Sequence, residues 1–525
     1  MMKRLCQSIK NLYCVWYKGM IEKMGKKSKA TLLTMIFSVL SSIILMLLNL
    51  VYNNFLISIY GSNVNGLIST LTQFVSLFTV LEGGFTTAAI VSVYKPIVDK
   101  DYNSLNDILY TAKMTFGKVG LIISLCVLVL GSGYIFMIDS VLSYRDTYIL
   151  LLISVLSTSL SICALSKYNI LLQGDNKEYK LIQINTLCKM IVWIVSIVLI
   201  LRRCNILIVY FLNVINILLS VIILKYYVNR KYKMITYRGK YNKKLILGTG
   251  DVFFQKIANS IFTSTDLILI SAFIGLAASS VYNLYYQFFS SILSFLVSII
   301  QAPFNSIGQM VNTEAEKNKV NSFFMIYQHF ALMLTTFFLT VTGAIIIPFI
   351  KIYTRNISDC NYIDYGLVLL FFTQIFVQIV NRPFGILLNA TGNFKMQNKQ
   401  CFWAAIVNLG VSYVALKRYG THGIVFGSFC GTLIILVMNI YQTYKNILKE
   451  SSMRNCINII LNYILGISLI ILSFYLMKDR EIGYIEWGLY SGCVCVIFGI
   501  IILIFNEVIF CSGTNKVVKF IKSML

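Results

Sequence analysis

At 525 residues, 58% hydrophobic and 12% charged, with a mean hydropathy of +0.77, the chain is too apolar for a soluble enzyme and reads as a polytopic membrane protein. The net charge of +25 could point to nucleic acid, but the basic residues sit in short loops between apolar runs, where they orient spans against anionic lipid. The 13 cysteines form no CxxC pair (Cys493 and Cys495 are CxC) and read as small hydrophobes within spans. With only His329 and His422 present, no histidine metal site and no cofactor is expected.

Residues 1–29 carry eight Lys or Arg and one acid. Leu5, Ile9, Leu12, Tyr13, Trp16 and Met20 recur at helical spacing, which predicts an amphipathic helix on the cytoplasmic face; the plainer alternative is a solvated tail that only sets topology. No cleavable signal is expected, because the first apolar run starts after residue 29 and is too long for a signal core. Fourteen spans follow, near 30–57, 67–93, 116–138, 147–166, 183–200, 206–224, 246–274, 280–302, 323–350, 365–382, 402–416, 422–441, 457–477 and 488–506. With a cytoplasmic N-terminus, 33 Lys and Arg fall on the inner side and 9 on the outer, so both termini are placed inside.

The second span contains Leu81-Glu82-Gly83-Gly84-Phe85 and is expected to stop at Tyr94-Lys95-Pro96. A carboxylate inside such a run costs several kcal/mol, so Glu82 is either a buried hydrogen-bond cap or a group that handles substrate or cations. In the loop after it, Leu105, Ile108, Leu109 and Ala112 share a helical face, which predicts a segment lying along the membrane surface. The linker Lys225 to Lys244 has eight basic residues and no acid, suiting contact with anionic headgroups, and the tail Lys516 to Lys522 suits the same surface.

Three echoes recur at nearly one offset. Gly61 and Gln73-Phe74 match Gly275 and Gln287-Phe288 at 214; Ile170-Leu171-Leu172-Gln173 matches Ile386-Leu387-Leu388-Asn389 at 216; Leu201-Arg202-Arg203 matches Leu416-Lys417-Arg418 at 215. Together they indicate an internal duplication. The expected fold class is therefore all-α, with about 14 transmembrane helices in two six-helix lobes related by a pseudo-two-fold axis along the membrane normal, plus two added helices. The corresponding domains are a basic segment 1–29, an N-lobe 30–224, a linker 225–245, a C-lobe 246–441 and a C-terminal part 442–525 with the last two spans.

Within the spans lie Glu82, Lys189, Asp251, Lys256, Asp266 and Arg382. Lys189 and Arg382 lie near span ends and can snorkel to headgroups; Asp251 sits one turn into its span and Asp266 towards the outer end. Lys256 is ten residues into span seven, which at 1.5 Å per residue is about 15 Å deep, half the hydrocarbon thickness. Glu82 falls near the same depth, so the two either neutralise each other or face a cavity between the repeats. There an ammonium would meet phosphate or pyrophosphate, and a carboxylate would bind a proton or sodium ion. No Walker A loop, nucleophile elbow or soluble catalytic segment is present, so any energy is expected from a gradient.

The stretches Tyr60-Gly61-Ser62-Asn63-Val64-Asn65-Gly66-Leu67, Leu81-Glu82-Gly83-Gly84-Phe85, Val93-Tyr94-Lys95-Pro96 and Leu171-Leu172-Gln173-Gly174-Asp175-Asn176-Lys177 resemble bacterial polysaccharide flippases. These belong to the multidrug/oligosaccharidyl-lipid/polysaccharide exporter superfamily, with a MATE-like fold. The resemblance covers the first twelve spans and is densest over residues 60–180. It implies a two-lobed bundle in the bacterial inner membrane that moves undecaprenyl-pyrophosphate oligosaccharide to the outer leaflet by alternating access. It further implies that Lys256 first, then Lys189 and Arg382, meet the pyrophosphate, leaving Glu82, Asp251 and Asp266 as cavity or ion-coupling acids. Expected partners are anionic lipid and the polymerase and glycosyltransferases of polysaccharide assembly, with the transporter itself a monomer. The alternatives are an ion-coupled multidrug exporter of the same superfamily and, from another class, a membrane glycosyltransferase or polymerase. The last would need a large extramembrane loop, and the longest here is a basic linker of about twenty residues.

Overall fold

The computed structural model describes residues 26–242, 264–301, 317–391, 394–478 and 480–510. The N-terminal basic segment, the tail Lys516 to Lys522, and Asp251 and Lys256 lie outside these residues. Among the described residues the chain is helical throughout: α1 Lys26–Tyr60, α2 Ser62–Asp99, α3 Tyr102–Ile135, α4 Tyr144–Leu160 continued through a π-turn Ser161–Leu165 into Ser166–Gly174, α5 Glu178–Leu201 and α6 Ile206–Lys231. Then come α7 Ser264–Phe273, α8 Leu276–Ile300, α9 Lys317–Tyr353, α10 Tyr365–Val380, α11 Arg382–Ala390, α12 Phe394–Tyr419, α13 Thr421–Gln442 with a π-turn Thr443–Leu448, α14 Met453–Met477 and α15 Tyr484–Phe510. Eleven described helices are long and apolar enough to cross a membrane.

Two boundaries differ from the sequence expectation. Helix α2 does not stop at Pro96 but continues to Asp99: Pro96 forfeits one rung of the ladder, to the Ser92 carbonyl, and the helix ends within a turn of it. The chain turns at Lys100 with φ +56°, and Asp101 accepts hydrogen bonds from the backbone of Asn103 and Ser104 at 3.1 Å, starting α3 at once. The Ser104 hydroxyl and the backbone amides of Ser104 and Asn103 hold the Asp101 carboxyl below its usual range. Consequently the stretch expected to lie along the membrane surface is the first part of α3, and Leu105, Ile108, Leu109 and Ala112 are buried in protein. An apolar stripe satisfied by neighbouring segments has the same periodicity as one satisfied by lipid.

The duplication is written into the helix ends. Gly61 (φ +88°) separates α1 from α2, and Gly275 (φ +130°) separates α7 from α8. Only glycine takes such angles without strain, so these two glycines fix where α2 and α8 begin. Ser166–Gly174 and Arg382–Ala390 are both nine-residue helices, 216 residues apart at either end, and α6 and α13 begin 215 apart.

The chain divides into two compact units, each seen through its described residues. Unit 1 comprises Met1–Tyr52, Glu82–Ser124 and Leu156–Gly248; unit 2 comprises Asn53–Leu81, Leu125–Val155 and Thr249–Leu525, so α1 to α4 each contribute to both. In unit 1, α5 packs on α6 and on the second half of α4, and Asn106, Asp107 and Thr111 of α3 hold the linker backbone between Met234 and Asn242.

Unit 2 contains a direct pairing of α2 with α8. Asn65 donates to Ser280 at 2.7 Å and Asn283 to Ser69 at 2.8 Å, each residue bonding a partner 215 or 214 positions away. Residues that meet their own repeat counterparts lie beside a pseudo-two-fold axis. The backbones are so close that a Cβ on Gly66 would sit 1.7 Å from the Leu276 carbonyl oxygen. The last two spans, α14 and α15, are firmly docked on α9 through a buried polar ladder. Gln328 donates to Asn455 at 2.6 Å, Thr336 to Asn462 at 3.2 Å, and Asn462 and Asn506 bond each other at 3.1–3.2 Å. Ser473 donates to the Ala344 carbonyl at 2.9 Å and Trp487 to that of Ile345 at 3.0 Å.

Candidate functional sites in the two units

Glu82 sits in unit 1 on α2, opposite the π-turn of α4. The Ser166 hydroxyl lies 2.7 Å from its Oε1 and 2.6 Å from the Ile162 carbonyl, so one proton serves two acceptors. Thr86, one turn on, adds a long contact of 3.4 Å to the same Oε1. A π-turn inserts one extra residue per turn and commonly marks a functional site; here it supplies the local register at which Ser166 follows. Close approach is enforced by glycine: a Cβ on Gly120 would fall 2.7 Å from Cys163 Sγ, and one on Gly174 2.4 Å from Val93.

Asp266 sits in unit 2 on α7 and is 4% exposed. Tyr282 of α8 donates to it at 2.8 Å and Ser428 of α13 at 2.9 Å. Behind Ser428, Asn408 donates to the serine oxygen at 3.3 Å, and Ser412 donates to Asn408 at 3.0 Å. Every donor in this chain points toward Asp266, and neither described ion pair involves it. A buried carboxylate with neutral donors alone is costly as an anion, so the site is suited to take up a proton or a small cation. No group of three or more His, Cys, Asp or Glu with metal-binding geometry occurs among the described residues.

Two of the expected substrate cations can be placed. Lys189 is half-buried on α5 of unit 1, its ammonium 4.6 Å over the Trp193 ring, which itself stacks on Tyr52. Arg382 opens α11 in unit 2; its Nε is buried with no hydrogen-bond partner among the described residues. They belong to different units. The expected pairing of Glu82 with Lys256, and the role of Asp251, lie outside the described residues. Ser166, Tyr282 and Ser428 went unnoticed in the sequence: uncharged hydroxyls are abundant in it, and no spacing links Tyr282 to Ser428.

A third cluster, in unit 2, ties the start of α2 to the segment before α10. Asp359 accepts from the Ser62 amide at 2.6 Å and from its hydroxyl at 2.8 Å. The Tyr362 hydroxyl lies 2.6 Å from that of Ser62 and 2.8 Å from that of Ser280, bridging α2 and α8. Burial pushes the Tyr362 phenol up to about 12, so it is a neutral donor at any working pH.

No family model and no curated protein matches the sequence. Solved structures do match. An inward-facing multidrug resistance MATE family transporter of the MOP superfamily is 12% identical, with a TM-score of 0.57 over 77% of this chain and 94% of that one. A point mutant of the Vibrio cholerae MATE transporter VcmN is 14% identical with a TM-score of 0.54 over 81% and 98%. A MATE structure in a bent conformation is 15% identical with a TM-score of 0.51 over 81% and 96%. These alignments span nearly the whole of each transporter and leave about a fifth of this chain unmatched. What is shared at such identities is the fold, and the chain is a multi-pass membrane protein built on the fold of the MATE transporters.

Proposed function

We propose that this protein is a transporter working by alternating access, and that its cargo is an oligosaccharide on undecaprenyl pyrophosphate, flipped across the bacterial inner membrane with both termini cytoplasmic. The observation that carries the cargo reading is the presence of cations in spans without acid partners: Lys189 and Arg382 form no ion pair among the described residues. A buried guanidinium nitrogen without an acceptor favours an anionic cargo that supplies one. The resemblance of residues 60–180 to polysaccharide flippases supports the same reading, with Lys256 as the leading pyrophosphate contact and the lobes 30–224 and 246–441 as the moving bodies. In this reading the protein catalyses no covalent chemistry.

Glu82 and Asp266 supply the coupling. If Glu82 takes a proton it donates to Ser166, whose own proton then rests on the Ile162 carbonyl, so the site exchanges states with little rearrangement. Those two acids also favour a second reading, an ion-coupled exporter of cationic drugs, and one of the similar structures is a multidrug resistance transporter.

Deletion of the gene tests the choice. A flippase loses surface polysaccharide while undecaprenyl-linked repeat units accumulate on the inner leaflet. Normal polysaccharide with raised sensitivity to cationic drugs would replace the flippase with the exporter. Repeat units exposed outside and never polymerised would point to an enzyme.

A further inference from the structure

One basic cluster in unit 1 has no part in the sites above. Lys113 of α3 and Lys167 of α4 each lie one turn beyond the contact at which Cys163 donates to the Phe116 carbonyl at 3.8 Å, and α6, which carries Lys225, packs on the π-turn and on Ser166–Gly174, so three like charges converge from three helices. Among the described residues none of the three forms an ion pair; the two pairs found there are Lys177 with Asp175 and His422 with Asp364. Three acids of the same unit are engaged elsewhere. Asp107 accepts from the Lys240 amide at 2.6 Å, Asp175 bonds Lys177 and Tyr232, and Glu82 accepts from Ser166. Like charges gathered from separate helices destabilise the fold unless an anion joins them.

The cluster is held in place by specific contacts. The Lys167 ammonium stands 4.9 Å over the Tyr168 ring and 5.3 Å over the Tyr237 ring, and the two rings meet edge-on at 5.8 Å. Tyr237 arrives there through a left-handed backbone, φ +53°, which a non-glycine residue rarely adopts. Asn106 holds it so, its Oδ1 accepting from the amides of Thr236 at 2.9 Å and Tyr237 at 3.3 Å. The Tyr237 hydroxyl is buried and has no hydrogen-bond partner among the described residues. A strained linker residue thus ends beside the Lys167 ammonium with its own polar atom unsatisfied.

We propose that Lys113, Lys167, Lys225 and the Tyr237 hydroxyl form a binding site for a phosphate- or diphosphate-bearing ligand. Three compact cations and one hydroxyl donor match a multiply charged group with several oxygens better than a single carboxylate. Such a ligand supplies the absent counter-charge and the acceptor that Tyr237 lacks. Because Tyr237 lies in the linker between the repeats, occupancy ties that linker to α3, α4 and α6. The site is independent of which cargo is moved. Its phosphate comes either from an anionic lipid headgroup or from a soluble anion.

The test uses the full chain in nanodiscs of phosphatidylcholine, titrated with inorganic pyrophosphate, and a parallel set containing phosphatidic acid, with retained lipid read by native mass spectrometry. The expected result is binding of one or both probes, weakened at least about tenfold in the triple variant K113Q/K167Q/K225Q, the equivalent of losing one charge-assisted hydrogen bond or more. K113Q/K225Q, which leaves Lys167 packed between its rings, and Tyr237→Phe should weaken it in the same direction with no loss of thermal stability in the unliganded protein. Pyrophosphate binding alone assigns a soluble anion; selective retention of phosphatidic acid alone assigns a lipid. Equal binding by wild type and triple variant, no binding of either probe, or an equal loss on Lys417→Gln in unit 2 would overturn the proposal.

Discussion

At the scale of single residues, the decisive features are small: one proton, one methyl group, one hydroxyl. Asp266 depends on Tyr282 and Ser428 for its whole environment. Ser428→Ala leaves both Asp266 and Asn408 short of a partner and should cost about 1–3 kcal/mol, read as a lower melting temperature in detergent. Asp266→Asn keeps the shape and removes the charge. It should fold at normal yield and lose the dependence of transport on the proton or sodium gradient; retained dependence would remove Asp266 from the coupling. Gly66 is a steric case. A Cβ there meets the Leu276 carbonyl at 1.7 Å, so Gly66→Ala should cost about 3 kcal/mol, the upper end of ordinary overpacking. Gly117, in α3 with nothing within 4 Å of its would-be Cβ, should instead accept alanine with a gain of about 0.5–1 kcal/mol. Denaturant or thermal unfolding of the two variants side by side separates steric from propensity effects.

At the scale of elements, helix periodicity fixes what is helical, and side-chain polarity fixes what the helix docks on. Helix α14 has Asn455, Asn458, Asn462 and Ser473 buried on one side, while its lipid-compatible face shows Ile460, Ile464 and Tyr475. Away from water a polar side chain needs a protein partner, so these residues specify the register of α14 against α9 and α15. Asn462→Ala leaves the Asn506 Oδ1 without its donor, leaves the Asn506 amide only the Ile502 carbonyl, and removes an acceptor from Thr336; stability should fall by about 1–2 kcal/mol. Tyr475→Ala, at an 80% exposed position on the same helix, should leave the melting temperature unchanged. A comparable loss for both would mean that α14 is held by apolar contact rather than by the ladder.

At the scale of the whole molecule, the contact between α2 and α8 is the place where the repeats meet their own counterparts within unit 2. The cluster of Asp359, Tyr362, Ser62 and Ser280 closes over that contact. Under the proposed alternating-access function such a contact breaks in each cycle, so it should be held by a few replaceable hydrogen bonds and not by a large apolar interface. Asp359→Ala removes both acceptors of Ser62. Amide exchange should then accelerate by about tenfold or more at the N-termini of α2 and α8 together. Acceleration confined to the 354–364 segment would show that the cluster does not join the two helices.

The sequence by itself settled the class, because 58% hydrophobic residues in long runs leave no soluble alternative, and it carried the three echoes that point to a duplication. Gly61 and Gly275 were legible as an echo because both must take left-handed angles that other residues avoid. Glu82 and Asp266 were legible because charge in an apolar run is expensive enough to stand out. The tertiary structure alone decided which neutral hydroxyls complete those acids, since serine and tyrosine cost too little in a span to leave a trace in its composition. It decided that the stripe at Leu105 to Ala112 packs on protein, a distinction invisible to periodicity because lipid and a neighbouring segment satisfy an apolar face equally. It also decided that the last two spans are locked to α9, because a ladder of asparagines acquires meaning only when two helices bring the rungs together.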